Sequence, residues 1–196
     1  MRRILMIAAG LAIVIFAFAA YQIQSHEPDP PAANNIQMGG PFHLVDQNGR
    51  PVSDHDLLGK PTVMFFGFTY CPDVCPTTLA DMTAWLKALG PDGDKLNAVY
   101  VTIDPERDTP ARLKTYLTAF DPRIRGLTGS PQAIAQAAHD YSVYYQKAAL
   151  QGGDYTMDHS TLIYLMDPRG HMAQLVQYGT PNDQVVAALR KLLKAG

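Results

Sequence analysis

The chain has 196 residues, of which 47% are hydrophobic and 17% are charged, and its formal net charge is -2 at pH 7. This composition is typical of a globular protein and excludes a disordered or fibrous one. The near balance of basic and acidic residues excludes a general nucleic-acid binder, and two cysteines are too few for a disulfide-stapled scaffold.

An uncharged apolar segment, Ile4 to Ala20, follows Arg2 and Arg3 near the start of the chain. Its length reaches the lower limit of about 17 residues for a helix that spans a bilayer, and the two arginines favour a cytoplasmic N-terminus. A cleaved signal peptide is the alternative, because residues 17–19 form an A-x-A motif. Under both interpretations the following domain lies on the periplasmic or outer side of the inner (cytoplasmic) membrane, and we expect a single-pass anchor.

A proline-rich segment comes next, with the run SHEPDPPAANN. Its prolines and its lack of large aliphatic side chains are typical of a stiff, solvated spacer. We therefore predict an anchor over 1–21, a linker over 22–35 and a folded domain over 36–196.

Strands are indicated by apolar runs and turn residues. The Asn48-Gly49 dipeptide between apolar flanks predicts a β-hairpin at the start of the domain. Continuous apolar runs at 61–68 and 96–103 predict two buried strands. Segments 161–166 and 173–177 flank the turn DPRGH and predict a second, antiparallel hairpin.

Four helices are indicated, at 77–89, 109–120, 130–138 and 181–193. Thr109 and Ser130 each precede a proline, which is typical of an N-cap followed by the first helical residue. The resulting order of elements predicts an α/β protein with a thioredoxin-like fold, extended by the N-terminal β-hairpin and preceded by a single transmembrane helix.

The two cysteines, Cys71 and Cys75, stand in FTYCPDVCPTT between the first buried strand and the first long helix. The C-terminal end of a strand in an open α/β sheet is where ligands bind. Residues four apart on a helix lie on one face, so both sulfurs can meet on one atom. The helix N-terminus favours the thiolate, which is the form that binds metal.

A third ligand is needed, because two thiolates are too few for an ordinary zinc site. His159 lies just before strand 161–166, which in a thioredoxin-like fold starts against the cysteine-bearing junction. Two sulfurs and one imidazole nitrogen suit Cu(I). From spacing alone, a redox disulfide between Cys71 and Cys75 and a surface role for His159 stay open as alternatives.

Four motifs carry a resemblance to a known family: GGPFHLVDQNG, GKPTVMFFGFTYCPDVCPTTL, VTIDPERDTP and DHSTLIYLMDPRG. In this order and spacing they resemble the Sco (SenC) family of membrane-anchored, thioredoxin-like copper proteins, from about Gly39 to the end. The resemblance implies a metallochaperone rather than an enzyme, which helps assemble the dinuclear CuA centre of cytochrome c oxidase. The family's metal-binding cysteines fall on Cys71 and Cys75, and its metal-binding histidine falls on His159.

The resemblance also implies the cargo and the partners. The metal is copper, as Cu(I) with Cu(II) as a second candidate state. The copper-bearing subunit of cytochrome c oxidase is the implied recipient, and another periplasmic copper chaperone or a thiol reductase is a further candidate partner.

Two other functions compete with copper delivery. A periplasmic thiol-disulfide oxidoreductase or redox sensor is the first, although such enzymes normally carry CxxC rather than CxxxC. An accessory reductase activity is compatible with metal binding, because a disulfide must be reduced before its sulfurs bind copper. A peroxidase is excluded, because neither cysteine follows the required P-x-x-x-T-x-x-C pattern.

Several polar residues are weaker candidates. Asp158 is a partner that orients the His159 imidazole, a weak axial oxygen ligand for Cu(II), or a turn residue. The acidic and basic residues of the loop after the second buried strand form either a network that recognises a partner or supports the site, or a simple capping and salt-bridged loop. These residues are Asp104, Glu106, Arg107 and Asp108.

Overall fold

The structure is a computed structural model, and it describes residues 38–195. The predicted anchor at 1–21 and linker at 22–35 lie outside the described residues. No helix within 38–195 combines the length and the apolar character that crossing a membrane requires.

Strands form a seven-stranded sheet and a separate two-stranded hairpin. Their bounds are β1 (His43–Asp46), β2 (Pro51–Ser53), β3 (Thr62–Gly67), β4 (Asn97–Thr102), β5 (Ile124–Thr128), β6 (Tyr145–Ala149), β7 (Tyr155–His159), β8 (Ile163–Met166) and β9 (Met172–Val176). The order in the large sheet is β2-β1-β5-β4-β3-β8-β9, and β6 pairs with β7. Strands β3, β4 and β5 are parallel, whereas β1 and β8 join them in antiparallel orientation.

The helices connect or follow these strands. Their bounds are α1 (Val74–Leu89), α2 (Pro110–Leu117), α3 (Pro131–Asp140) and α4 (Asn182–Ala195), with short 3-10 helices at Asp54–Leu57 and Gly90–Lys95. The predicted caps are confirmed, because the Thr109 hydroxyl accepts a hydrogen bond from the Arg112 amide at 3.3 Å and the Ser130 hydroxyl accepts one from the Ala133 amide at 3.1 Å. The strands and helices together confirm the predicted mixed α/β class, and the antiparallel pairing of β1 with β2 confirms the N-terminal hairpin.

Strands β3 and β4 lie at the centre of the sheet and are buried along most of their length. Such strands are continuous apolar runs, because both faces are covered. Side chains alternate between the two faces. Phe65 pairs in register with Tyr100 on one face, and the next residue, Phe66, packs against Tyr164 on the other face. The face that carries Phe65 and Tyr100 is the one that packs against Cys75 of α1.

The sequence prediction omitted three strands and placed one helix start too late. Helix α1 begins at Val74 rather than Thr77, so Cys75 lies within its first turn. Strand β5, IRGLT, is short and interrupted by a charged residue and a glycine. Strands β6 and β7 carry several polar side chains on a hairpin outside the main sheet, and thus lack the apolar pattern of a core strand.

Candidate metal centre

The two cysteines lie where β3 ends and α1 begins. Cys75, in the first turn of α1, is 0% exposed, whereas Cys71 in the preceding loop is half-buried. The Cys75 backbone N–H donates to the Cys71 sulfur at 3.4 Å. This amide belongs to the group of donors that a helix leaves unpaired at its N-terminus, and it favours the thiolate form of Cys71.

His159, the last residue of β7, brings its imidazole to the same place. Its Nε2 lies 3.7 Å from the Cys75 sulfur. Its Nδ1 lies 2.8 Å from the backbone oxygen of Ser160. Because a carbonyl oxygen only accepts, Nδ1 carries the proton and Nε2 presents a lone pair toward the cysteine. This is the tautomer that binds a metal through Nε2.

The separation of sulfur and nitrogen suits two ligands of one ion. With bonds of about 2.3 Å to sulfur and about 2.0 Å to nitrogen, ligands of a trigonal or tetrahedral ion lie about 3.5–3.8 Å apart. The measured 3.7 Å between Cys75 and His159 falls in that interval. Across residues 38–195, however, no three His, Cys, Asp or Glu side chains are already gathered into a complete ligand set. A complete set also needs the sulfur of Cys71, which already accepts a hydrogen bond from the Cys75 backbone N–H.

The two thiols differ in acidity because they are coupled. A hydrogen bond with the Cys75 side chain lowers the pKa of the Cys71 thiol. The same bond, together with burial, raises the pKa of the Cys75 thiol. The half-buried sulfur is therefore a thiolate at neutral pH, and the buried sulfur keeps its proton.

Gly67, the last residue of β3, makes room for the buried cysteine. A Cβ at this position would lie 2.8 Å from the Cys75 sulfur and 2.9 Å from Cε2 of Tyr100. Atoms at these separations overlap, so any larger residue displaces the sulfur or the ring. The absence of a side chain at Gly67 thus allows Cys75 to pack directly against the strand.

A buried carboxylate holds the loop that leads to Cys71. Asp108, 0% exposed, accepts hydrogen bonds from the Thr69 backbone N–H at 2.9 Å and from the Thr102 hydroxyl at 2.6 Å. Its other oxygen accepts one from the Thr69 hydroxyl. Burial raises the pKa of Asp108 and the hydrogen bonds oppose that rise. Of the two roles considered for this loop, the geometry favours support of the site.

Replacing Asp108 with alanine is expected to destabilise the protein by about 2–3 kcal/mol, because the Thr69 amide and the Thr102 hydroxyl lose their acceptor inside the fold. Chemical denaturation followed by circular dichroism measures this loss. The matched control is Asp158→Ala, which removes an exposed carboxylate beside His159. Equal stability of both variants would contradict a supporting role for Asp108.

The rest of the loop after β4 ties the β6–β7 hairpin to the main sheet. The Tyr155 hydroxyl donates to buried Asp104 at 2.9 Å, and Arg107 donates to the Tyr155 carbonyl at 2.9 Å. Arg107 also forms an ion pair with Asp104 and lies over the Tyr155 ring, 3.7 Å from its centroid. Sequence reasoning missed Tyr155, and no pattern in the sequence marks it, because its role depends on a hairpin that was not predicted.

Asp158 lies elsewhere than expected, whereas Glu106 forms a salt bridge as one of the two alternatives predicted. Asp158 belongs to strand β7 rather than to a turn, and the imidazole partner is the Ser160 carbonyl. Glu106 pairs with Lys147 of β6 at 2.7 Å and is exposed. Tyr70, beside Cys71, is 50% exposed, and the Arg107 guanidinium lies 4.5 Å from its ring centroid.

The chain is similar in sequence to proteins of one known family. The family model described as SCO1/SenC matches residues 30–194. "Protein SCO1 homolog 1, mitochondrial" of Arabidopsis thaliana is 39% identical over 154 residues, which is 78% of this chain and 46% of the relative. "Protein SCO1, mitochondrial" of Saccharomyces cerevisiae is 44% identical over 136 residues, which is 68% of this chain and 46% of the relative. The chain thus spans about half the length of these curated relatives.

Solved structures show the same fold. Bradyrhizobium japonicum ScoI with copper bound is 49% identical with a TM-score of 0.76, over 79% of this chain and 99% of that one. Yeast Sco1 with copper bound is 38% identical with a TM-score of 0.75, over 82% of this chain and 90% of that one. BsSco, described as having a disulfide switch and as a member of the Sco family of cytochrome c oxidase assembly proteins, is 24% identical with a TM-score of 0.66, over 83% of this chain and 98% of that one. This last likeness concerns the fold alone.

Proposed function

The chain belongs to the SCO1/SenC family, and from this membership and the site we propose that it is a copper metallochaperone. In this proposal Cys71, Cys75 and His159 bind one copper ion, and the protein helps assemble the CuA centre of cytochrome c oxidase. The observation that carries the proposal is the position of His159, whose unprotonated Nε2 lies 3.7 Å from the Cys75 sulfur although the two residues are 84 positions apart. Two relatives of the same fold were crystallised with copper bound.

The donor set supports copper as the cargo. Two sulfurs and one imidazole nitrogen are soft ligands, which suit Cu(I) better than they suit calcium or magnesium. Aromatic rings of Phe65 and Phe68 flank the imidazole at centroid distances of 6.2 and 5.8 Å. These apolar neighbours limit the ways in which the ring can turn, and they keep its orientation fixed before metal arrives.

Titration of the reduced full-length chain with Cu(I) against a competing chelator tests this function. We expect one tightly bound ion per chain. A count of free thiols must accompany each affinity, because oxidation of Cys71 and Cys75 to a disulfide removes both sulfur ligands. Absence of binding by fully reduced protein would overturn the proposal. Deleting the gene and measuring the copper content of the terminal oxidase tests the physiological role.

Copper binding is expected to tighten as pH rises. The pKa of Cys71 is lowered by its hydrogen bond with Cys75, so that sulfur needs to lose no proton near neutral pH. The pKa of Cys75 is raised, so its thiol must release a proton on binding. The bound state holds fewer protons than the free state, and affinity therefore rises with pH, by about tenfold per unit for one proton.

Competition titrations between about pH 7 and 8.5 measure this dependence, with proton release followed in weakly buffered solution as a second readout. Cys75→Ser is the matched control, because without that thiol the slope is expected to disappear together with most of the affinity. A wild-type affinity that does not change with pH would contradict the assignment of Cys75 as the protonated ligand.

The location of the protein forms part of the proposal. We propose that a single N-terminal helix anchors the chain in the inner membrane and that the copper-binding domain lies on its periplasmic or outer side. The apolar segment from Ile4 to Ala20 supports this proposal. Names of its relatives include mitochondrial proteins and a lipoprotein from Bacillus anthracis. Alkaline extraction of membranes, followed by protease treatment of intact spheroplasts, tests both anchoring and sidedness.

Thiol-disulfide exchange is a second candidate function, favoured by the difference between the two sulfurs. Cys71 is half-buried and its thiol pKa is lowered, whereas Cys75 is fully buried behind it. An accessible thiolate next to a second thiol is the arrangement that attacks a disulfide and then resolves the mixed intermediate. Turnover of a disulfide substrate by copper-free protein, lost in Cys71→Ser, would support this function.

A further inference from the structure

Two tyrosine hydroxyls are buried in the large sheet without a hydrogen-bond partner among the described residues. One belongs to Tyr100 on β4 and the other to Tyr164 on β8, and these residues are 0% and 1% exposed. A buried hydroxyl without a partner is unfavourable, because it has given up its hydrogen bonds to water. Such a group therefore needs an explanation in a folded protein.

Tyr100 lies directly beside the buried cysteine. A Cβ built on Gly67 would approach both the Cys75 sulfur, at 2.8 Å, and Cε2 of the Tyr100 ring, at 2.9 Å. Sulfur and ring therefore pack over the same glycine. Tyr164, in contrast, contacts Phe66 and Tyr141 on the opposite face of the sheet. The two tyrosines thus share their burial and their unpartnered hydroxyl, but only Tyr100 is next to the metal centre.

The acceptor strength of the neighbouring sulfur depends on its charge. A neutral thiol is a weak hydrogen-bond acceptor, whereas a thiolate carries negative charge and accepts strong, charge-assisted hydrogen bonds. A tyrosine hydroxyl is a hydrogen-bond donor at neutral pH, because its ordinary pKa is about 10. The ring that carries this donor packs over the same glycine as the Cys75 sulfur, which becomes a good acceptor only when it loses its own proton.

We propose that the Tyr100 hydroxyl donates a hydrogen bond to the Cys75 thiolate in the metal-bound protein. This inference rests on the proposed function, because it requires Cys75 to bind the copper ion. Tyr100 is then a positioning residue that acts through the sulfur and does not touch the metal. Its hydroxyl, unsatisfied in the metal-free protein, gains its partner on metal binding, and part of the binding free energy comes from that gain.

The hydrogen bond also affects the two oxidation states of copper differently. A donor that withdraws electron density from the sulfur weakens the thiolate as a ligand for Cu(II) more than for Cu(I), and hydrogen bonding around a cysteine sulfur is one of the factors that tune a copper potential. Tyr100 therefore favours the reduced metal. Its removal lowers the Cu(II)/Cu(I) potential and moves the sulfur-to-Cu(II) charge-transfer band to longer wavelength.

The test compares Tyr100→Phe with Tyr164→Phe in the reduced full-length chain. Each substitution removes one buried, unpartnered hydroxyl and keeps the ring, so neither is expected to prevent folding. Competition with a Cu(I) chelator is expected to show about a tenfold loss of affinity for Tyr100→Phe, the lower end of the range for partners of metal ligands, and no loss for Tyr164→Phe. The charge-transfer band of the Cu(II) form is expected to shift only in Tyr100→Phe.

A purely structural role for Tyr100 predicts different results. If Tyr100→Phe matches the wild type in Cu(I) affinity and in the position of the charge-transfer band, the inference is wrong while the proposed function stands. Equal losses in both variants would also overturn it, because the effect would then follow from the sheet rather than from the sulfur. If the wild-type chain binds no copper, the proposed function itself fails, which is a distinguishable result.

Discussion

His159→Ala is expected to weaken Cu(I) binding by about 100-fold. Structural metal sites with four ligands bind with about 10–16 kcal/mol, so one ligand contributes about 3 kcal/mol. A tenfold change in affinity corresponds to about 1.4 kcal/mol, which gives the stated factor. The lone pair that is lost belongs to Nε2, which lies 3.7 Å from the Cys75 sulfur. Competition with a Cu(I) chelator, with a thiol count on the same sample, measures the change.

His139→Ala is the matched control for this variant. His139 is largely exposed on α3, where its Nδ1 lies 3.1 Å from Asp140, and its removal is expected to leave copper affinity unchanged. His159→Gln preserves more of the side-chain volume between Phe65 and Phe68 and separates the loss of a ligand from the loss of packing. Retention of wild-type affinity by both His159 variants would rule out the three-ligand set.

Gly67→Ala is expected to damage the site without altering any proposed ligand. Its new methyl group would overlap the Cys75 sulfur and the Tyr100 ring, at 2.8 and 2.9 Å. Both neighbours are 0% exposed and have little room to move. Overpacking of this kind costs about 1–3 kcal/mol of stability. Displacement of the sulfur is expected to lower Cu(I) affinity by at least tenfold, since misplacing a ligand group weakens a preorganised site.

Gly126→Ala, on strand β5 on the far side of β4 from β3, separates the two effects. A Cβ there would lie 2.6 Å from the terminal Cδ1 atom of Leu117, far along a side chain that can rotate. Thermal unfolding and chelator competition are measured for both variants. We expect both to lose stability and only Gly67→Ala to lose affinity. Wild-type affinity in Gly67→Ala would show that the close approach of Cys75 to β3 does not matter for the metal.

Much of the fold follows from local sequence signals. The apolar runs that form β3 and β4 are continuous because those strands are covered on both faces, so they stand out from the polar sequence around them. Thr109 and Ser130 mark helix starts because the N-cap is a local interaction, decided by residues within one turn. The cysteine pair was found for the same reason, since its spacing of four has a direct meaning at the start of a helix.

The parts that escaped prediction depend on contacts between distant segments. Strand β7 carries His159, but its sequence has no apolar alternation, because the β6–β7 hairpin is held by polar contacts with the loop after β4. In the sequence Asp108 is one of several charged residues in a loop, and no local pattern distinguishes it from the others. Its role depends on Thr69, 39 positions earlier in the chain, and on complete burial, and neither can be inferred from the local sequence. The assignment of Cys71, Cys75 and His159 as copper ligands stays a prediction.

The unequal depth of the two sulfurs has a consequence for the proposed transfer of copper. Cys71 is reachable from outside, while Cys75 is sealed between α1 and the sheet. In the proposed transfer, an acceptor's own ligand therefore approaches from the partly exposed side, where Cys71 and His159 lie, and reaches Cys75 last. In that order Cys75 still holds the ion while the acceptor's ligand binds, which favours direct transfer over release into water. The architecture thereby gives the exchange a fixed sequence, in which the shallow ligand leaves first and the deep one last.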